Sequence, residues 1–434
     1  MYNLDEKQKI PLTINEKNLN KASSSNISYI SQKSKELELE GRNIFKFGFA
    51  NSPFTPPQNV LNALNAHRKA DSYFNPQGLA ELREKISDFH STKLTTVTAD
   101  NVFIAPGSKM MVFAILAIFK KASIYIAEPS VSFYDFQARI LGHKVKKIPT
   151  DNLNCYLIDE NILEKAFAKT PVNDNRQKIL ILNCPGHLNG SSYSKQQLVS
   201  ITRICQRYNV LVISDELLSM LNYTDNHESI IDYYPEGTIV TTGISKSYAA
   251  SNWRFSCCFY NREFGNNLKS SLLAICSSSY SYVSYPIQSA AMIAYDNLKK
   301  DHGYIIKQRR ILQYLSEYSY NKFNNNNIIT QKSSAGFCLL LDFSAYKEKF
   351  KKYNILDDSK LCFDILDSQN IVLLPASSFG MKNNDFLVRY AFVDFDGDAA
   401  LENFTGSFTD AYCDKYFSRI FEGVNVIIDY VRNL

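Results

Sequence analysis

The chain has 434 residues, 45% hydrophobic and 13% aromatic, which is enough apolar mass to bury a core across two or three domains. Its 48 basic and 43 acidic residues leave a formal net charge of only +5 with no basic run, so nucleic acid is not an expected partner, whereas small anions are admitted. Nine cysteines without a C-x-x-C spacing, no signal-like apolar start and no membrane-length apolar stretch predict reduced thiols, no metal site and a soluble, cytoplasmic protein with no membrane partner.

Residues 1–40 are rich in Asn, Lys, Ser and Glu with few large apolar residues, and they predict an N-terminal arm lying on another surface. From 76 to 300, apolar runs of strand length alternate with amphipathic stretches. NVFIAP, SIYIAEP, KILILNCP, NVLVISDE and GTIVTTG each stop at a turn or polar cluster. Near-continuous apolar strands separated by helices predict an α/β fold in which a large domain, 76–300, holds a mostly parallel sheet covered on both faces. Residues 41–75 and 301–434 read as a smaller α+β domain containing AGFCLLLDF and FLVRYAFVDFDG. Ligands of open α/β sheets collect at the carboxyl ends of the strands, so chemistry is expected there.

Three of those ends carry unusual residues. APGSKMMVFAIL sets Gly107 and Ser108 between a strand and an apolar helix, where free backbone N–H groups bind phosphate. NVLVISDELL ends its strand at Asp215, a carboxylate suited to a protonated ring nitrogen. TTGISKSYAASNWRFS places Lys246 after a strand and beside Ser245, with Arg254 eight positions further on. Alone, each has an ordinary reading: a common turn, a helix cap, a solvated lysine, a surface arginine. Their fixed order makes coincidence a poor explanation.

SYFNPQGLAELREKI, with Tyr73, Gly78, Leu82 and Arg83, resembles the signature Y-x-x-x-x-G-x-x-x-L-R. LNCPGHLNGSSYS resembles N-x-P-x-N-P-T-G, SDELL resembles S-D-E-h-Y, SKSYAASNWR resembles S-K-x-x-x-x-x-x-W-R, and FLVRYAF resembles an R-h-S-h strand. From Glu40 to RYAFVDFDG, these motifs together resemble the class I/II aminotransferases, fold-type-I pyridoxal-phosphate enzymes. The resemblance implies a seven-stranded large-domain sheet, pyridoxal 5'-phosphate as cofactor, an amino acid and a 2-oxo acid as substrates, and a homodimer.

It also implies roles. Lys246 would carry the cofactor as a Schiff base and then move the substrate's proton, and Asp215 would pair with the pyridine nitrogen. Gly107, Ser108, Ser245 and Arg254, with Lys109 beside them, would hold the phosphate, and Tyr73 would reach the phosphate of the neighbouring subunit. Arg389 would clamp the substrate carboxylate, supported by Asn183. Arg83 reads as structural.

The chain departs from the family around the cofactor's phenolic oxygen. His187 stands where an asparagine is usual, and Leu218, which cannot donate a hydrogen bond, stands where a tyrosine is usual. Gly243 replaces a frequent phosphate-binding serine. Val131 occupies the ring-stacking position, with Phe133 or Tyr134 as substitutes. Transamination is the expected reaction; a lyase, decarboxylase or oxidase on the same scaffold, and a catalytically silent cofactor-binding protein, are the alternatives. Acidic substrates would want a second cation, for which Lys109, Arg68 and His67 are candidates, although solvated side chains are the default reading of all three.

Overall fold

The structure is a computed structural model and describes residues 26–67, 75–169, 171, 174–224, 226–262, 264, 266–300 and 303–434. Seven strands form its large sheet: β1 (Val102–Ala105), β2 (Ala122–Glu128), β3 (Lys144–Pro149), β4 (Gln177–Asn183), β5 (Val210–Asp215), β6 (Thr238–Thr242) and β7 (Ser256–Tyr260). Their spatial order is β1-β7-β6-β5-β4-β2-β3. All neighbours run parallel except β7, which is antiparallel to both β1 and β6.

Every residue of β1, β5, β6 and β7 is buried, as a sheet covered by helices on both faces requires. Five of the strands are the five apolar runs of the sequence. The other two had weaker signals. β3, KVKKIP, is an edge strand whose lysines keep it partly in solvent. β7, SCCFY, is short and follows the loop that carries Arg254.

The parallel arrangement brings the carboxyl ends of β1, β4, β5 and β6 to one edge. Asn183 lies opposite Asp215, and Asp215 opposite Thr241, so the segments that follow these strands converge.

A second set of strands faces that edge. Leu374–Pro375, Leu387–Ala391 and Cys338–Asp342 form an antiparallel sheet with Leu387–Ala391 in the middle. Phe45–Lys46 pairs in parallel with Ile371–Val372. Leu312, Leu315, Ile365, Phe417, Val424 and Ile427 from the covering helices share one apolar cluster with these strands. Burying a side chain of this size stabilises by roughly 1.5–3 kcal/mol, which is what holds the small sheet in place.

The described part of the N-terminal stretch is the helix Asn26–Leu39, which docks on this same cluster through Ile30 and Leu37. The helix Gln58–Ala66, expected with the smaller unit, instead packs on Tyr285–Lys300. Its Val60 and Leu64, four residues apart on one helical face, join the core beside the large sheet. Phe404 and Phe408, just before the last helix (Asp410–Asn433), contribute packing: they cluster with its Tyr412 and Phe417, and Phe408 stacks on Tyr314 at 4.3 Å.

Candidate active site

After β1, Gly107 turns the chain with φ +91° into the helix Ser108–Ala117, whose first N–H groups have no partner within the helix and attract anions. A Cβ on Gly107 would overlap the Arg254 guanidinium, so glycine is what lets this cation close over the helix start. Arg254 is fixed in turn: its backbone is left-handed at φ +57°, and Nη1 donates to the Ser251 carbonyl at 2.9 Å. Ser251 Oγ donates to the Ser245 carbonyl at 2.8 Å, and Ser245 Oγ to the Phe255 carbonyl at 3.1 Å. At Gly243, a Cβ would stand 3.0 Å from the Phe255 carbonyl and from Ser256 Cα, which accounts for glycine where a serine is frequent.

Gly107→Ala should therefore displace Arg254 and strain the turn, costing about 1–3 kcal/mol of stability and weakening phosphate retention. Thermal melting and a titration with pyridoxal phosphate would check both effects; an unchanged midpoint and affinity would contradict the cradle.

Lys246 follows β6 and is partly buried. Its Nζ donates to the Ala50 carbonyl at 2.6 Å and lies 5.6 Å from the Phe337 ring centre. Burial lowers its pKa from the usual 10.5 to about 8; Cys338 opposes the shift, and the charges of Arg389 and Arg254 add to it. The neutral, nucleophilic amine is thus reached well below the pH that an ordinary lysine needs.

Asp215 is fully buried at the end of β5. Its Oδ2 accepts from Tyr134 Oη at 2.5 Å and its Oδ1 from the Leu217 N–H at 3.3 Å. Tyr134 therefore does not serve as a ring-stacking residue. It is buried beside the carboxylate, and burial, then Asp215, raises its pKa well above the ordinary tyrosine value. Val131 and Phe133 line the cavity instead.

His187 also lines the cavity, and neither buried ring nitrogen has a hydrogen-bond partner. Burial lowers its pKa; Asp215 opposes this, and Lys246 and Arg389 reinforce it, so three functional charges surround one imidazole. Asn183 does not support Arg389 as expected. Its Oδ1 accepts from the His187 N–H at 2.8 Å, while its Nδ2 donates to the Asp215 and Pro185 carbonyls at 3.0 and 3.2 Å. It ties the loop that presents His187.

Arg389, from the middle of the small sheet, is 9% exposed. Nη2 donates to the Gly48 carbonyl at 2.7 Å and the guanidinium lies 4.8 Å from the Phe379 ring centre, but Nε has no partner. Among the described residues no carboxylate pairs with it. A buried cation left so is costly unless an anion arrives, so this position is built to receive one.

Ser108, Lys109, His187, Ser245, Lys246, Arg254 and Arg389 share one cavity of about 510 Å³. Tyr73 lies outside the described residues. Sequence reasoning missed Ser251, the Gly48 and Ala50 carbonyls, Phe337 and Phe379. Backbone acceptors leave no mark in a sequence, Phe337 sits in an apolar run that reads as core, and Phe379 sits in the small and polar stretch ASSFGMK, which carries no signal. Arg83 is structural, donating to the Gly78 and Ala99 carbonyls at 3.1 and 2.6 Å. No group of residues suited to a metal ion occurs among those described.

A mostly parallel seven-stranded sheet that delivers a lysine, an acid and an anion cradle to one edge, faced there by a smaller sheet, is the scaffold of a fold-type-I transferase. The chain belongs to the class I and II aminotransferase family, which it matches over residues 42–394. It is 25% identical over 362 residues to a probable aspartate/prephenate aminotransferase of Aquifex aeolicus, covering 81% of this chain and 88% of the relative. It is 24% identical over 361 residues to a glutamate-pyruvate aminotransferase of Haemophilus influenzae, covering 80% and 86%. In fold, it is similar to an aminotransferase from Escherichia coli with a TM-score of 0.81 at 18% identity, covering 98% of this chain and 99% of that one.

Proposed function

We propose that this protein moves the amino group of an amino acid to a 2-oxo acid, using pyridoxal phosphate held in the cavity described above. The observation that carries this reading is the presence, in one cavity, of a lysine whose pKa burial lowers to about 8 and a buried arginine that no carboxylate of the described residues pairs with. The residues suit the cofactor. The helix start at Ser108, closed over by Arg254, would take its phosphate, and Asp215 its ring nitrogen. The unpartnered nitrogens of His187 supply a donor for its phenolic oxygen. Leu218 packs against Gly336 and offers none, so His187 takes over that task.

Bound, the cofactor supplies an electron-withdrawing ring that stabilises negative charge at the substrate's α-carbon. Arg389 orients the substrate through its carboxylate. Once its amine is free, Lys246 would hold the α-proton and return it, with an amine whose pKa burial has lowered to about 8. Phe337 keeps one side of that amine dry. The reading extends to a homodimer, in keeping with the family, and to the cytoplasm, in keeping with nine unpaired cysteines; no helix of the described residues is long and apolar enough to cross a membrane.

Acceptor dependence tests the reaction. With an amino acid alone, about one equivalent per site should be consumed; continuous turnover should need an added 2-oxo acid, whose carbon skeleton returns aminated. Sustained release of ammonia or carbon dioxide without an acceptor would establish elimination or decarboxylation instead.

A further inference from the structure

The cavity must seat the substrate side chain as well as its carboxylate and amine, and the walls left after those assignments have a definite chemistry. Ile27, Phe49, Phe133, Leu217, Leu374 and Phe379 supply them. Ile27, Phe49 and Phe133 remain partly exposed, so they hold apolar surface that a ligand can cover. No aspartate or glutamate of the described residues lines the cavity, and an amino acid with a cationic side chain would find no counter-ion there.

Among the described residues four cations line the cavity, of which Lys246 serves the amine, Arg254 the phosphate end and Arg389 the carboxylate, while Arg68 lies outside the described residues. Lys109 remains. It lies in the first turn of the helix Ser108–Ala117, exposed, with its Nζ 5.6 Å from the Phe133 ring centre. An ammonium already solvated and resting on an aromatic face gains little from a second carboxylate in water.

We propose that the amino acid this site takes carries an uncharged apolar or aromatic side chain, selected by Ile27, Phe49 and Phe133, and that Lys109 does not read a distal carboxylate. This rests on the aminotransferase reading. Ile27 gives the N-terminal helix a task in specificity, because it carries a side chain from outside the two sheets onto the cavity wall.

Two readouts on the holoenzyme test the proposal. In single-turnover reactions with single amino acids, kcat/KM for phenylalanine, leucine or methionine should exceed that for aspartate and glutamate by at least about tenfold, the cost of leaving a charged side chain without a partner. In calorimetric titrations, unreactive 3-phenylpropionate should bind at least about tenfold more tightly than succinate, as apolar burial requires. Lys109→Ala should change turnover of acidic and apolar amino acids by the same factor, whatever it does to cofactor retention, whereas Ile27→Ala and Phe49→Ala should weaken 3-phenylpropionate.

Faster turnover of aspartate or glutamate, tighter succinate binding, or a loss confined to acidic substrates in Lys109→Ala would overturn the proposal and leave the aminotransferase reading standing. Failure of every amino acid to react would remove both.

Discussion

Lys246→Ala is expected to lower turnover by roughly 10⁴-fold, because one amine serves as both the attachment point and the proton carrier. Lys246→Arg should be equally inactive, since a guanidinium keeps its proton at any working pH. Neither variant should show the absorption band of the lysine-attached cofactor. The pH dependence follows from the amine. Capture of pyridoxal phosphate by the cofactor-free protein needs the neutral form, so its rate should climb about tenfold per pH unit below about 8 and level off above it.

The same shift acts on folding. The folded pKa lies below the unfolded 10.5, so the unfolded chain binds the extra proton between about 8 and 10.5. The penalty of burying Lys246 is therefore complete below about 8 and fades as pH rises. Capture rates that keep rising to pH 10 would mean that Lys246 is solvated as an ordinary lysine.

Arg389→Met should separate function from stability. Removing the group that meets a buried substrate carboxylate should cost kcat/KM about 2–5 kcal/mol, a loss of roughly 30- to 5,000-fold. The cofactor-free protein should become more stable, because a thioether of similar reach replaces a buried cation that has one carbonyl, one ring face and, among the described residues, no acid. A rise in melting temperature with lost activity is the expected pair of results. A fall in melting temperature with activity retained would make Arg389 a structural residue.

The legibility of the site in the sequence varied from residue to residue. Lys246, Asp215 and the turn at Gly107 follow apolar strands of parallel type, and in such sheets position along the strand determines position in space, so these residues could be found by counting. Arg254 was readable from its spacing to Lys246 in SKSYAASNWR, although the connection between β6 and β7 runs from 243 to 255. Tyr134 was not readable, because adjacent residues at the start of a helix point in different directions, and packing sent Phe133 to the cavity and Tyr134 to Asp215.

Asn183 was misplaced because its loop folds back on itself, and an amide with both acceptor and donors bonds first to the nearest backbone. The N-terminal helix was hidden by its polar composition. Ile27, Ile30 and Leu37 are few, yet they are the residues that dock it. The edge strand β3 was obscured by the lysines that protect it from further pairing.

The central claim is that Lys246 is the residue that holds the cofactor. The most direct test is borohydride reduction of the protein loaded with pyridoxal phosphate, followed by peptide mapping by mass spectrometry. A phosphopyridoxyl group confined to the peptide containing Lys246, in about one copy per chain, is the predicted result. The same group on Lys109 or on surface lysines, with Lys246 unmodified, would contradict the account.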